Sequence, residues 1–394
     1  MYAVFDANNF YVSCERVVQP YLQEVPVVVA NPGGIVLARS NEAKALGVKM
    51  AEPLFKIQEL VKEKGIHVAA TRFALYTDLS NRIASILHLY FSEVEEYSID
   101  ESFVHFSSVF SDEKLESICR MVRKQILDWV GVPVSVGIAP TKTLAKVAVK
   151  LAKKDESGVK VLSNKSDIEN QLKTLPVGDV WGIGRALGKK LPAYNITTAA
   201  HLAAQDPLHI RKQFSVTLAY TINELNCLPC FTQTVSPKPA QSLMCTESYH
   251  AEITEVENIR EKLKHLAERA GRQLRKQKEV AGVMGIFTRG NRFHKERGYL
   301  ALQAITTFAP ASADTSDFLG FIDESIDKVF PYGARVKRAG VFFYNLIPEK
   351  ERQMGLFEAE NSMNRQKRER AQAVIDEIEK KWGKKPAPFL TITV

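Results

Sequence analysis

The apolar spacing changes character twice along the chain, and that switch limits the folds open to it. Up to about residue 165, short apolar runs alternate with helical periodicity. Residues 2–5, 25–30 and 132–138 read as buried strands, and 94–106 as strand–turn–strand. Residues 41–47, 75–91, 115–130 and 143–153 read as helices. From 166 to 230 the pattern is purely helical. A polar stretch with two prolines follows, with a linker expected at 233–240. Strands at 243–250, 280–288, 298–308 and 335–345 then enclose helices at 255–276 and 314–330, giving two β-α-β halves. The expected fold class is α+β in several domains.

Composition excludes other classes. The 394 residues are 45% hydrophobic and 25% charged, which suits a globular chain rather than a disordered one. No apolar run reaches the ~18 residues of a membrane span. The start, Met1-Tyr2-Ala3-Val4-Phe5-Asp6, lacks the basic opening of a signal peptide. Five cysteines are too few for a disulfide scaffold, so a cytoplasmic location is expected. Cys227 and Cys230 form a lone pair without further zinc ligands and read as ordinary thiols.

The chain carries 53 Lys and Arg against 45 Asp and Glu, a net charge of +8. Residues 258–298 hold 12 basic and 4 acidic residues, so this segment accounts for the whole excess. Such a local field suits a polyanion, nucleic acid first; a solvated charged face is the alternative.

Asp6, Asp100 and Glu101 stand at strand ends. Converging carboxylates can hold two divalent ions for in-line phosphoryl displacement, and isolated strand-end acids are merely solvated. Phe10 and Tyr11 follow the first acid; on an extended strand they would face opposite ways, one of them into the core. Gly182-Ile-Gly184 lies between helical stretches and is followed by Arg185, Lys189 and Lys190. Backbone N–H groups at such glycines can approach a phosphate closely.

Asp6-Ala-Asn-Asn-Phe-Tyr11, Tyr97-Ser-Ile-Asp-Glu101, Ser135-Val-Gly-Ile138 and Thr141-Lys-Thr-Leu-Ala-Lys146 together resemble the Y-family DNA polymerases, which copy damaged templates. The segments 41–50 and 179–184 are similar to the UmuC type of that family, and the resemblance runs from Met1 to about Leu346. It implies a right-hand polymerase: palm at 1–22 and 76–165, fingers at 23–75, and a helical thumb with helix-hairpin-helix at 166–232. A β-α-β-β-α-β little finger at 241–348 and a tail at 349–394 complete it.

The resemblance also implies site residues. Asp6, Asp100, Glu101 and the Ala7 carbonyl would hold two Mg²⁺ ions, with Mn²⁺ as a substitute. Tyr11 would be the steric gate against ribose, or else a core aromatic with Phe10 as the gate. Lys44, Lys153 and Asn41 would meet the triphosphate; Asn41 stands where many relatives have Tyr. Gly182, Gly184, Arg289, Arg292 and Arg297 would meet primer-template DNA. Gln353, Leu356 and Phe357 would dock on the β sliding clamp. The UmuD′ dimer and RecA would be accessory partners, and UmuC-type members continue past the position of Val394 with a basic, aromatic segment. The implied reaction is template-directed, error-prone nucleotidyl transfer in lesion bypass, without proofreading. A non-catalytic DNA-binding homologue and a two-metal palm enzyme such as a nucleotide cyclase are the alternatives.

Overall fold

The structure, a computed structural model, describes residues 1–232, 240–291, 300–353 and 362–382. Most of the expected linker, Arg292, Arg297, Leu356 and Phe357 lie outside the described residues. The chain divides into two compact units, Met1–Pro237 and Lys238–Val394.

The first unit contains two sheets. The larger is built from β1 (Tyr2–Ala7), β5 (Val94–Glu96), β6 (Glu101–His105), β7 (Val134–Ala139) and β8 (Val159–Val161), in the order β5-β6-β1-β7-β8. Its pairs are antiparallel except β7 with β8. The smaller, β2 (Val27–Ala30) between β3 (Val36–Arg39) and β4 (His67–Ala70), lies in the segment expected as fingers. β3, β4 and β8 were not among the strands read from the apolar runs. They span only 3–4 residues each, too few for a period-2 pattern to stand out.

Central strand β1 is buried throughout. Ala3, Phe5 and Ala7 belong to one core with Tyr76, Leu79, Leu115, Cys119 and Ile126 of helices Phe73–Tyr90 and Asp112–Val130. Tyr2 and Val4 face the other way, into a core with Leu144, Ala145 and Ala148 of helix Lys142–Ala152. That helix presses hard on β7: a Cβ on Gly137 would lie 2.1 Å from the backbone N of Val149. Only glycine permits this approach, which fixes the height of the helix above the strand-end acids.

Five helices between Lys165 and Leu225 extend the same core through Ile168, Leu172, Ile222 and Leu225. Glu224, fully buried, secures the join. Its carboxylate accepts hydrogen bonds from the N–H groups of Thr143 (2.9 Å), Cys230 (2.7 Å) and Phe231 (3.1 Å). The first of these satisfies a donor at a helix N-terminus that would otherwise lack a partner.

The second unit is one sheet of β9 (Ser242–Ile253), β10 (Glu279–Arg289), β11 (Ala301–Ser312) and β12 (Val336–Pro348), in the order β11-β10-β12-β9, all antiparallel. Helix Val256–Gln277 links β9 to β10, and helix Thr315–Val329 links β11 to β12. Each pair so linked runs parallel with one strand between, so the two β-α-β halves interleave. On the first of these helices Ile259, Leu263, Leu266, Ala270 and Leu274 are buried against the sheet. A last helix, Ser362–Trp382, is tied to this unit by polar groups. Asp376 accepts from Arg275 at 2.6 and 3.0 Å, while Val374 and Ile378 stay exposed.

Candidate active site

Asp6, near the end of β1, pairs in register with Glu101, the first residue of β6. Directly opposed residues share a sheet face, so both carboxylates lie on the side covered by helix Lys142–Ala152. Along that helix and its C-cap, Lys142, Lys146 and Lys153 recur at intervals of four and seven, one stripe of a 3.6-residue period. Each lysine meets one acid. Lys142 Nζ lies 2.5 Å from Glu95, Lys146 is paired with Glu101, and Lys153 Nζ lies 2.7 Å from Asp6 Oδ1. Lys146 also lies over the rings of Tyr97, Phe103 and Trp181, 4.9–5.9 Å from their centroids.

Asp6 is largely buried, and desolvation pushes its carboxyl up to about 6 although Lys153 pulls the other way. The Glu101 charge adds to the rise. Asp100 stands in the turn before β6. Its backbone carbonyl accepts from Ala7 N–H at 2.8 Å, and its Oδ1 accepts from Ser98 Oγ at 2.6 Å. Among the described residues, no three Asp, Glu, His or Cys side chains gather into a metal cage. The residues nonetheless fit a divalent ion by donor type, since carboxylates and a carbonyl are hard oxygen ligands. Two of them, Glu101 and Asp6, are ion-paired with Lys146 and Lys153.

Tyr11 corrects one expectation. β1 ends at Ala7, Asn9 turns left-handed at φ 46°, and a helix begins at Phe10. Phe10 and Tyr11 are therefore neighbours on a helix, not opposite residues of a strand. Phe10 is buried, and Tyr11 is half-buried with its ring stacked on Tyr76 at 4.5 Å. Burial first, then the Asp100 charge, raises the Tyr11 hydroxyl above its ordinary value.

Lys44 and Asn41 lie exposed on the short helix Asn41–Ala45. Asn41 Oδ1 accepts from Asn9 Nδ2 at 3.1 Å, a link the spacing did not disclose. Lys146 and Lys142 were visible only as part of a quoted motif. Their i,i+4 spacing was the available signal, but their acid partners lie more than 40 residues away. Gly182 has φ +87°, and Gly184 caps the short helix Arg185–Lys190 with open space where a Cβ would stand.

In the second unit the basic residues divide. Arg260 and Lys264 lie within 4 Å of Asp323, and Lys262 within 4 Å of Glu247. Arg289 donates to the carbonyls of Thr288 and Leu302 at 3.1 and 3.0 Å and covers the Phe287 ring. Arg338, its partner in register on β12, is exposed. Gln353 is exposed just past the last strand.

The fold is that of the Y-family DNA polymerases. A chimeric Y-family DNA polymerase built on Dbh superposes with a TM-score of 0.69 at 21% identity, covering 88% of this chain and 99% of that one. DinB from Sulfolobus solfataricus superposes at 0.54 and 22% identity, with the same coverage. Three family models match in order: the impB/mucB/samB family over 5–150, its HHH motif over 165–196 and its C-terminal domain over 240–356. Protein ImpB of Salmonella typhimurium is 35% identical over 96% of this chain and 90% of its own length. Protein UmuC of the same species is 35% identical over 98% and 92%. DNA polymerase IV 2 of Bacillus subtilis is 30% identical over 90% and 86%. The chain belongs to the impB/mucB/samB family and is a UmuC-type Y-family translesion DNA polymerase.

Proposed function

We propose that this chain adds deoxynucleotides to a primer 3′-end opposite damaged template bases, with Asp6, Asp100 and Glu101 as the reacting centre. The observation that carries the reading is the cross-strand pairing of Asp6 with Glu101 under a stripe of lysines. Segments 1–22 and 76–165 serve as palm, 23–75 as fingers, 166–232 as thumb and 241–348 as little finger.

The carboxylates of Asp6, Asp100 and Glu101 and the Ala7 carbonyl are the groups that would hold Mg²⁺, or Mn²⁺ in its place. When bound, such ions stabilise the attacking and leaving oxygens of an in-line displacement. Lys153, at the end of its helix, is 41% exposed and can pass from Asp6 to a triphosphate oxygen. Lys44 offers a second point charge and Asn41 a neutral contact; a lysine supplies charge without the fixed fork of an arginine. Tyr11 closes the space that a ribose 2′-hydroxyl needs.

Backbone N–H groups at Gly182 and Gly184 take a DNA phosphate, and Arg292 and Arg297 take others. Gln353, Leu356 and Phe357 tether the chain to a sliding clamp, with the UmuD′ dimer and RecA as accessory partners. Primer extension on undamaged and abasic templates, with and without chelator and with and without those partners, tests the reading. Extension past the abasic site that chelator abolishes is expected. No extension under any condition would favour a non-catalytic homologue, and cyclisation of a nucleotide triphosphate would favour a palm cyclase.

A further inference from the structure

Tyr11 does not stand alone. Its ring lies nearly parallel to that of Tyr76, with centroids 4.5 Å apart and an interplanar angle of 16°. Phe73 meets it edge-on at 6.0 Å and 88°, and meets Tyr76 edge-on as well. Phe73 and Tyr76 both come from the first turn of helix Phe73–Tyr90, at i and i+3, and so project from one face. The two rings form a bracket, one on the face of Tyr11 and one on its edge.

The bracket is locked to the helix that carries Tyr11. Tyr76 is fully buried, and its hydroxyl donates to Glu15 Oε1 at 2.7 Å. Glu15 lies one turn beyond Tyr11 on helix Phe10–Val18. Tyr76 therefore touches that helix twice, with its ring at Tyr11 and its hydroxyl at Glu15. The Glu15 carboxylate is itself held on both oxygens by the Arg72 guanidinium, and Gln19 Nε2 donates to it at 3.0 Å. Arg72 stands at the N-cap of the bracket helix, so a bidentate charged pair, its carboxylate buried and its guanidinium partly exposed, bolts the two helices together at one end. A half-buried aromatic ring without such support would sample other rotamers, and a gate that moves by an ångström no longer excludes one hydroxyl group.

The geometry points to Tyr76 and Phe73 as positioning residues for sugar selection, held in register by the Glu15–Arg72 pair. This rests on the reading of Tyr11 as the gate, and the experiment separates the two. The ratio of kcat/KM for a deoxynucleotide to that for the matching ribonucleotide is measured for the parent, Tyr11→Ala, Phe73→Ala, Tyr76→Leu and Tyr76→Phe. A general loss of structure lowers both rates together and leaves the ratio unchanged.

Tyr11→Ala is expected to relax discrimination most. Phe73→Ala and Tyr76→Leu should each relax it about tenfold, the scale of one aromatic pair. Tyr76→Phe, which keeps the stacked ring and loses only the bond to Glu15, should relax it less than Tyr76→Leu, by about threefold. Relaxed discrimination in Tyr11→Ala with parental ratios in both Phe73→Ala and Tyr76→Leu overturns the bracket and leaves the gate standing. A parental ratio in Tyr11→Ala removes the gate itself. Phe73 is more than half exposed, so its variant folds and decides the matter alone if Tyr76→Leu does not.

Discussion

The ammonium of Lys153 lies 2.7 Å from Oδ1 of Asp6, so the acid proposed as a metal ligand is held by an internal cation. The same lysine is proposed for the triphosphate. Both roles cannot be filled at once. Lys153→Met should therefore bind Mg²⁺ more tightly before nucleotide arrives, because the competing cation is gone. It should also need more nucleotide, its KM rising about tenfold for one lost charge-assisted bond of about 1.5 kcal/mol. Metal titration without nucleotide and steady-state kinetics with it check the two halves separately.

The acid itself makes a pH prediction. Burial holds the Asp6 carboxyl at about 6 in the folded protein, against about 3.9 in an unfolded chain. The folded state thus keeps a proton between those values that the unfolded state has lost. Stability from this group is fully present at the acid end and is lost as pH rises through about 6. Asp6→Asn removes the loss. In chelator the variant should exceed the parent in stability by about 3 kcal/mol at pH 8, with the margin shrinking toward pH 5. Thermal unfolding of both at each pH measures the difference.

Much of this site could be read before any coordinates. Asp6 was placed at a strand end because the apolar run from Tyr2 stops there, and Glu101 at the turn within 94–106; the sheet does bring them opposite one another. The helix expected at 255–276 followed directly from its apolar period and is found at Val256–Gln277. What escaped was what the chain brings together over distance. Lys146 finds Glu101 from 45 positions away, and Tyr76 finds Glu15 from 61. Nothing local marks either partner. The helix at Phe10 escaped for a different reason: it begins after a left-handed Asn9, a start with no side-chain cap to announce it.

Arg289 is engaged within its own sheet, so the proposed phosphate contacts of the basic segment rest on Arg292 and Arg297. If each neutralises one phosphate, changing both to Ala should flatten the slope of log affinity against log salt by about 2. Affinity should fall alike for all duplex sequences, since such contacts position without reading bases. Arg260 and Lys264, already ion-paired, serve as the control and should leave the slope unchanged. Equal slopes for the double variant and the parent would assign the excess charge to a solvated surface.

The proposed clamp docking can be tested apart from chemistry. Replacing Leu356 and Phe357 by Ala should weaken binding to a sliding clamp at least about tenfold, because the pair supplies the apolar burial. Extension without the clamp should be unaffected, since a tether acts by raising local concentration. Binding assays and clamp-free extension on the double variant check both.

The most direct measurement compares the parent with Asp100→Asn in single-nucleotide incorporation, with DNA affinity determined on the same preparations. Asp100 makes its backbone bond to Ala7 whatever its side chain carries, so the fold and the grip on DNA should persist. The amide lacks the charge that holds a divalent ion, and incorporation should fall by more than about 1000-fold. A variant that binds DNA like the parent and incorporates nothing is the predicted result. A variant that incorporates within a few-fold of the parent would contradict the assignment of Asp6, Asp100 and Glu101 as the reacting centre.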